Sequence, residues 1–185
     1  MSALEKIPPH SIEAEQSVIG AALIDPDCIL KISDIVQPED FYRDAHKIIF
    51  AACLDIYRHD ELDLITLPEY LKGGGALEKC GGISYLAAMI ESTPSAANVA
   101  YYARIVKKRA IQRRMGYWAN DIQSQIYNGG AEDLPAFLSG MEKSLIEFSE
   151  PLQSRRLPDV ASILNSIKTR WREEKEGKRK FIPTD

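Results

Sequence analysis

The chain has 185 residues, 45% of them hydrophobic and 27% charged, a composition that fits one or two small folded domains and excludes a disordered or fibrous polypeptide. Lys and Arg total 23 against 27 Asp and Glu, and the resulting formal net charge of -4 gives no global attraction to nucleic acid, so any such contact has to come from a local patch. The cysteines Cys28, Cys53 and Cys80 are odd in number and lack CxxC spacing, which argues against a disulfide framework or zinc site and for a reducing, cytoplasmic setting.

No apolar core of a leader peptide stands in MSALEKIPPH, and no window approaches the roughly 18 apolar residues of a membrane span, so the expectation is a protein with no membrane role. After Pro8 and Pro9, Ser11 is placed to cap a helix whose first turn carries Glu13 and Glu15, signs that suit the helix dipole. Ile12, Ile19, Ala22 and Leu23 are its predicted buried stripe. Asp25 and Pro26 open a shorter helix with Ile29, Leu30, Ile32 and Ile35 as its apolar residues, closed by Pro38. A third helix follows Phe41 and Tyr42, where Ile49, Cys53, Ile56 and Tyr57 recur at helical spacing.

Before the next helix, both Asp63 and Thr66 are cap candidates, the latter with Glu69 at capping-box spacing. The glycines at 73–75 end that helix, and Gly81 and Gly82 launch another through Ile83, Tyr85, Leu86, Ala87 and Ile90 to Thr93 and Pro94. Ser95 then caps the longest helical pattern, about 96–127, broken by Asn128, Gly129 and Gly130. Ile111, Met115, Trp118, Ile122 and Ile126 mark its stripe, and Leu134, Phe137 or Leu138, Met141, Leu145 and Phe148 mark a second one beyond the glycines. Two stripes joined by a short turn predict an antiparallel helical hairpin whose free face packs on another subunit. Residues 150–158 have linker composition, and Val160, Ile163, Leu164, Ile167 and Trp171 then form a lone apolar stripe that requires a docking groove elsewhere.

The reading is therefore all-α: a compact head of short helices at 8–94, a projecting hairpin at 95–150, and a linker at 151–185 carrying an amphipathic helix at 158–176. Chemistry is sparse. There is no G-x-x-x-x-G-K-[ST] to cradle phosphate, and the glycines of GGGALEKCGG serve helix ends. His10, His46 and His59 stand at no metal-ligand spacing; His46, near Tyr42 and Asp44, reads as a structural, hydrogen-bonded histidine, and the other two as loop residues. The carboxylates Glu13 with Glu15, and Asp60 with Glu61, lie at helix starts or polar loops where solvation accounts for them. Catalytic, cofactor and metal sites are accordingly expected to be absent. Arg104, Lys107, Lys108, Arg109, Arg113 and Arg114 form one basic cluster on the long helix, open both to ion pairing and solvation and to contact with phosphates or an acidic partner.

The segments PPHSIEAEQSVIGAALID, PEDFYRDAHKIIFAA, DLITLPEYL, GGISYLAAMIESTPSAANVAYYARIVKKRAIQRR and the closing IPTD occur in an order that resembles the N-terminal region of DnaB-family replicative DNA helicases, in register from about Pro8 to Arg114. The resemblance implies a collar whose hairpins pair between subunits into a dimer and a trimer-of-dimers ring. It further implies that the 158–176 helix docks on a neighbouring RecA-like ATPase domain, which would follow this sequence and hold ATP and Mg. It implies primase and a helicase loader as partners, with Glu13, Tyr85, Arg113 and Ile122 facing them, and single-stranded DNA in the ring channel, touched weakly if at all by these residues. Ile111, Met115, Trp118, Leu134, Met141 and Leu145 are the hairpin interface candidates. Gly116 departs from the aliphatic residue general in the family's hairpin, and Phe181 and Asp185 stand where the family has glycines around its IPT segment. Two rivals remain at this point: a helicase-binding helical module of a primase, and a stand-alone nucleic-acid-binding helical protein.

Overall fold

The computed structural model describes residues 7–129 and 133–153, with side chains through Ile146. Among these residues the structure is all helical. The described residues fall into two units, one ending at Gly129 and the other starting at Asp133. The first holds α1 (Ile12–Ile24), α2 (Cys28–Ser33), α3 (Asp44–His59), α4 (Thr66–Gly73), α5 (Gly82–Glu91) and α6 (Val99–Tyr127), with 3-10 turns at Pro38–Asp40 and Ala96–Asn98. The second holds α7 (Leu134–Gln153).

The head is built around α1. Ser11 caps it, its hydroxyl accepting from Ala14 N at 3.4 Å. A single buried stripe was expected here; instead Ala14, Glu15 and residues 17–23 are all buried, while Ile12 stays half-exposed. The physical reason is position: α5, α6, α3 and α2 all pack on α1, and a helix surrounded by others has no polar face to show. Small residues permit that crowding. A Cβ on Gly20 would lie 2.1 Å from Thr93 Oγ1 and 2.5 Å from the Met89 carbonyl oxygen, so only glycine lets α1 and the end of α5 approach this closely.

Ile29 and Ile32 of α2 are buried as expected, but Leu30 points to solvent. The helix ends at Ser33, and Pro38 does not merely close it: Pro38 opens the 3-10 turn, in which the Asp40 carboxylate accepts from Gln37 N at 2.9 Å. On α3, Ile49, Cys53 and Ile56 face the core together with Phe50, which packs on Phe41 at 4.9 Å between ring centroids. Asp63 caps α4 by accepting from the main-chain N of Ile65 and of Thr66, both at 2.7 Å, while Thr66 Oγ1 accepts from Asp63 N at 2.9 Å. The two cap candidates thus form one reciprocal cap.

Gly75, at φ 65°, ends α4 in a turn where Ala76 N donates to Leu71 O. α6 seals the head with Val99, Ala103, Val106 and Ala110, a buried row at i, i+4, i+7 and i+11. Beyond Arg113 its side chains are half-buried or exposed through Tyr127. α7 runs three residues past the expected boundary at 150. The helix expected at 158–176, with Val160, Ile163, Leu164, Ile167 and Trp171, lies outside the described residues, as does IPTD.

Candidate functional site

Two polar clusters distinguish the head from a plain hydrophobic bundle. In the first, His46 of α3 is fully buried, with Nδ1 2.6 Å from Glu15 Oε2 and Nε2 2.9 Å from the Tyr85 hydroxyl. Glu15, 1% exposed, also accepts from the main-chain N of Tyr42 at 2.7 Å and of Arg43 at 3.4 Å. A carboxylate in the first turns of α1 thereby satisfies the main-chain N–H groups just ahead of α3 and pins the two helices together. His46 is a structural histidine as expected, and its partners are Glu15 and Tyr85. The solvated role expected for Glu15 is corrected, since its packing neighbours exclude water and supply the donors instead.

The second cluster surrounds Asp40, also buried. Lys107 Nζ lies 2.7 Å from Asp40 Oδ2, Arg114 Nη2 lies 3.7 Å from Oδ1, and Arg113 donates to the Asp40 main-chain oxygen. Arg113 also donates to Pro9 O at 2.8 Å and sits over the Tyr42 ring at 5.6 Å, and His10 stacks on Tyr42 with ring centroids 4.3 Å apart. These contacts fasten the arm at 7–10 to the end of the head. A cleft of about 230 Å³ opens beside them, lined by Asp40, Tyr42, Lys47, Arg114 and Tyr117 among others. Half of the basic cluster expected on α6 is therefore committed to Asp40, while Arg104 and Lys108 face solvent.

The expected partner-facing residues divide. Glu13 is exposed, Tyr85 and Ile122 are half-buried, and Arg113, 7% exposed, is turned inward to hold the arm. Of the expected hairpin interface, Ile111 is buried in the head because α6 still lies on it there. Met115 (46%), Leu134 (56%) and Leu145 (48%) are exposed, and Trp118 and Met141 are half-buried. Gly116 faces open space. Sequence reasoning missed Asp40, Gln16 and Arg43 altogether; the unusual density of charged and aromatic residues at 39–46 was the available signal.

Buried thiols are held in the unreactive form: burial pushes Cys53 up to about 12 and Cys28 to about 11, and it raises Cys80 as well. Among the described residues no group of three or more His, Cys, Asp or Glu gathers to hold a metal, and no helix is long and apolar enough to cross a membrane.

The family model for the DnaB-like helicase N-terminal domain matches residues 7–108. The replicative DNA helicase DnaB of Geobacillus stearothermophilus is 39% identical over 161 residues, covering 86% of this chain and 35% of that protein. The replicative DNA helicase DnaC of Bacillus subtilis is 35% identical over the same coverage. The chain spans about a third of the length of these curated relatives. The crystal structure of the N-terminal domain of DnaB helicase from Mycobacterium tuberculosis matches at a TM-score of 0.71 and 35% identity, over 76% of this chain and 99% of that one. The N-terminal domain of DnaB helicase from Helicobacter pylori, described with its interactions with primase, shares the fold at a TM-score of 0.55 and 19% identity, over 62% of this chain and 90% of that one. With the all-helical head and the match over more than half its length, the chain belongs to the family of DnaB-like helicase N-terminal domains.

Proposed function

We propose that this chain is the N-terminal oligomerisation and partner-binding domain of a hexameric, ATP-dependent replicative DNA helicase that works in the cytoplasm. In this reading the residues described here do no chemistry. They assemble as dimers and a trimer of dimers and present a surface to primase or a helicase loader, while ATP, Mg and the unwinding reaction belong to a RecA-like domain engaged through the segment 158–176. The observation that carries the reading is the apolar row on α7: Leu134, Leu138 and Leu145 are exposed and Met141 half-buried, at i, i+4, i+11 and i+7. An unbroken stripe of large apolar side chains in water is the mark of a surface that another chain covers.

Glu13, Tyr85 and Ile122 are the residues of the proposed primase-facing set that reach the surface. Titration calorimetry with the C-terminal helical domain of a DnaG-type primase tests this. Binding by the wild-type chain that weakens about tenfold, or roughly 1.4 kcal/mol, in Glu13→Ala and in Tyr85→Ala supports the reading. A wild-type chain that gives no heat at any ratio, or variants that bind as the wild type does, contradict it.

A further inference from the structure

The Tyr85 hydroxyl has three nitrogen neighbours: His46 Nε2 at 2.9 Å, Arg43 Nη1 at 3.1 Å and Gln16 Nε2 at 3.3 Å. A phenolic oxygen offers one proton and two lone pairs, so the arrangement can be solved by counting. Nδ1 of His46 must carry a proton, because a bare nitrogen 2.6 Å from a carboxylate oxygen would set lone pair against lone pair. Arginine can only donate. If Nε2 were protonated too, three donors would converge on the two lone pairs of Tyr85, and its own proton would have no acceptor among them. A bare Nε2 removes the conflict: Tyr85 donates to His46 and accepts from Arg43 and Gln16, and each atom that meets the Tyr85 hydroxyl has a partner of the correct sense.

From this geometry we infer that Glu15, His46 and Tyr85 form a polarised hydrogen-bond relay, in which the buried carboxylate on α1 fixes the histidine tautomer and the histidine turns the hydroxyl of a half-exposed tyrosine on α5 inward. Glu15 and His46 are positioning residues. The root of Tyr85 is fixed as well: Gly81, at φ 93°, leaves so little room that a Cβ there would lie 2.8 Å from Tyr85 Cβ and Cγ. Tyr85 therefore offers an incoming molecule its ring and no free hydroxyl proton. The inference deepens the proposed partner-binding role, on which it rests for the use made of Tyr85, and its test needs no partner.

The isosteric change Glu15→Gln makes a sharp test. Oε1 accepts the short bond from Tyr42 N at 2.7 Å and Oε2 only a long one from Arg43 N at 3.4 Å, so the new amide keeps its oxygen on Tyr42 and turns its NH2 toward Nδ1. A donor there requires a bare Nδ1, so the proton moves to Nε2 and the Tyr85 proton turns away from the histidine. The experiment is nitrogen NMR of the chain labelled with 15N-histidine. The wild type is expected to show a pyrrole-type Nδ1 and a pyridine-type Nε2 for His46, with a cross-hydrogen-bond correlation from the Tyr85 hydroxyl proton to Nε2. In Glu15→Gln the two nitrogen types exchange and the correlation disappears. A doubly protonated or Nε2-protonated His46 in the wild type overturns the inference on its own, even if the variant does not fold. An unchanged tautomer in a folded variant overturns it as well. Failure of primase binding would leave both readouts intact, so the two proposals fail separately.

Discussion

Lys107 of α6 and Asp40 of the 3-10 turn meet at 2.7 Å in a mostly enclosed site, joining two segments 67 residues apart in sequence. Asp40 also accepts from Gln37 N and faces Arg114. Removing the carboxylate leaves the Lys107 ammonium, only partly hydrated, with no partner there. Asp40→Ala should cost about 3 kcal/mol, whereas Lys107→Met, which leaves Asp40 its other contacts, should cost about 1 kcal/mol. Urea denaturation followed by circular dichroism measures both, and the ordering is the more demanding part of the prediction.

The close passage of α1 and α5 at Gly20 gives a second prediction. The clashing atoms include main chain, which cannot rotate away as a long side chain would. Gly20→Ala should therefore destabilise the head by about 3 kcal/mol, at the upper end of overpacking effects, despite the gain in helix propensity. A variant as stable as the wild type in the same denaturation assay would show that α1 and α5 can separate at little cost.

Asp63 yields a pH dependence. The main-chain N–H groups of Thr66 and Ile65 hold its carboxyl below the ordinary value of 3.8. Because the folded value is the depressed one, the cap contributes its stability above 3.8 and loses it as the pH falls through the lower folded value. Comparing thermal midpoints of wild type and Asp63→Ala from neutral to strongly acid pH should show a gap that narrows only below that point. A gap that is constant with pH would mean the carboxylate charge is not what caps α4.

The buried thiols predict chemical silence. At pH 8 the native chain should leave Cys28, Cys53 and Cys80 unmodified by iodoacetamide, while all react once it is denatured, as intact mass would record. Rapid alkylation of Cys53 in the native state would contradict its complete burial between α3 and the rest of the core.

Helix boundaries were legible because caps and breakers are local: Ser11, Asp63, Gly75 and Gly81 each act within a few residues, whereas Ser95, expected to cap the long helix, caps the 3-10 turn at Ala96–Asn98 and α6 starts only at Val99. The burial of α1 on every side was not, because SVIGAALI carries no pattern that says how many neighbours it will have. Glu15 looked like a dipole residue from the sequence, since the groups that donate to its carboxylate lie 27 and more residues away. Arg113 looked like part of a surface stripe for the same reason, its partners being Pro9 and Asp40. The exposed row on α7 was the most readable feature of the proposed site, because an apolar repeat is written in the sequence whether or not anything covers it.

We propose that this exposed row on α7 is covered by another copy of the chain. Light scattering across a concentration series should give the wild-type mass as a dimer or a multiple of it, and Met115→Asp combined with Leu145→Asp should reduce it to the monomer while the helical signal of the head persists. A wild-type chain that remains monomeric at every concentration would contradict the claim.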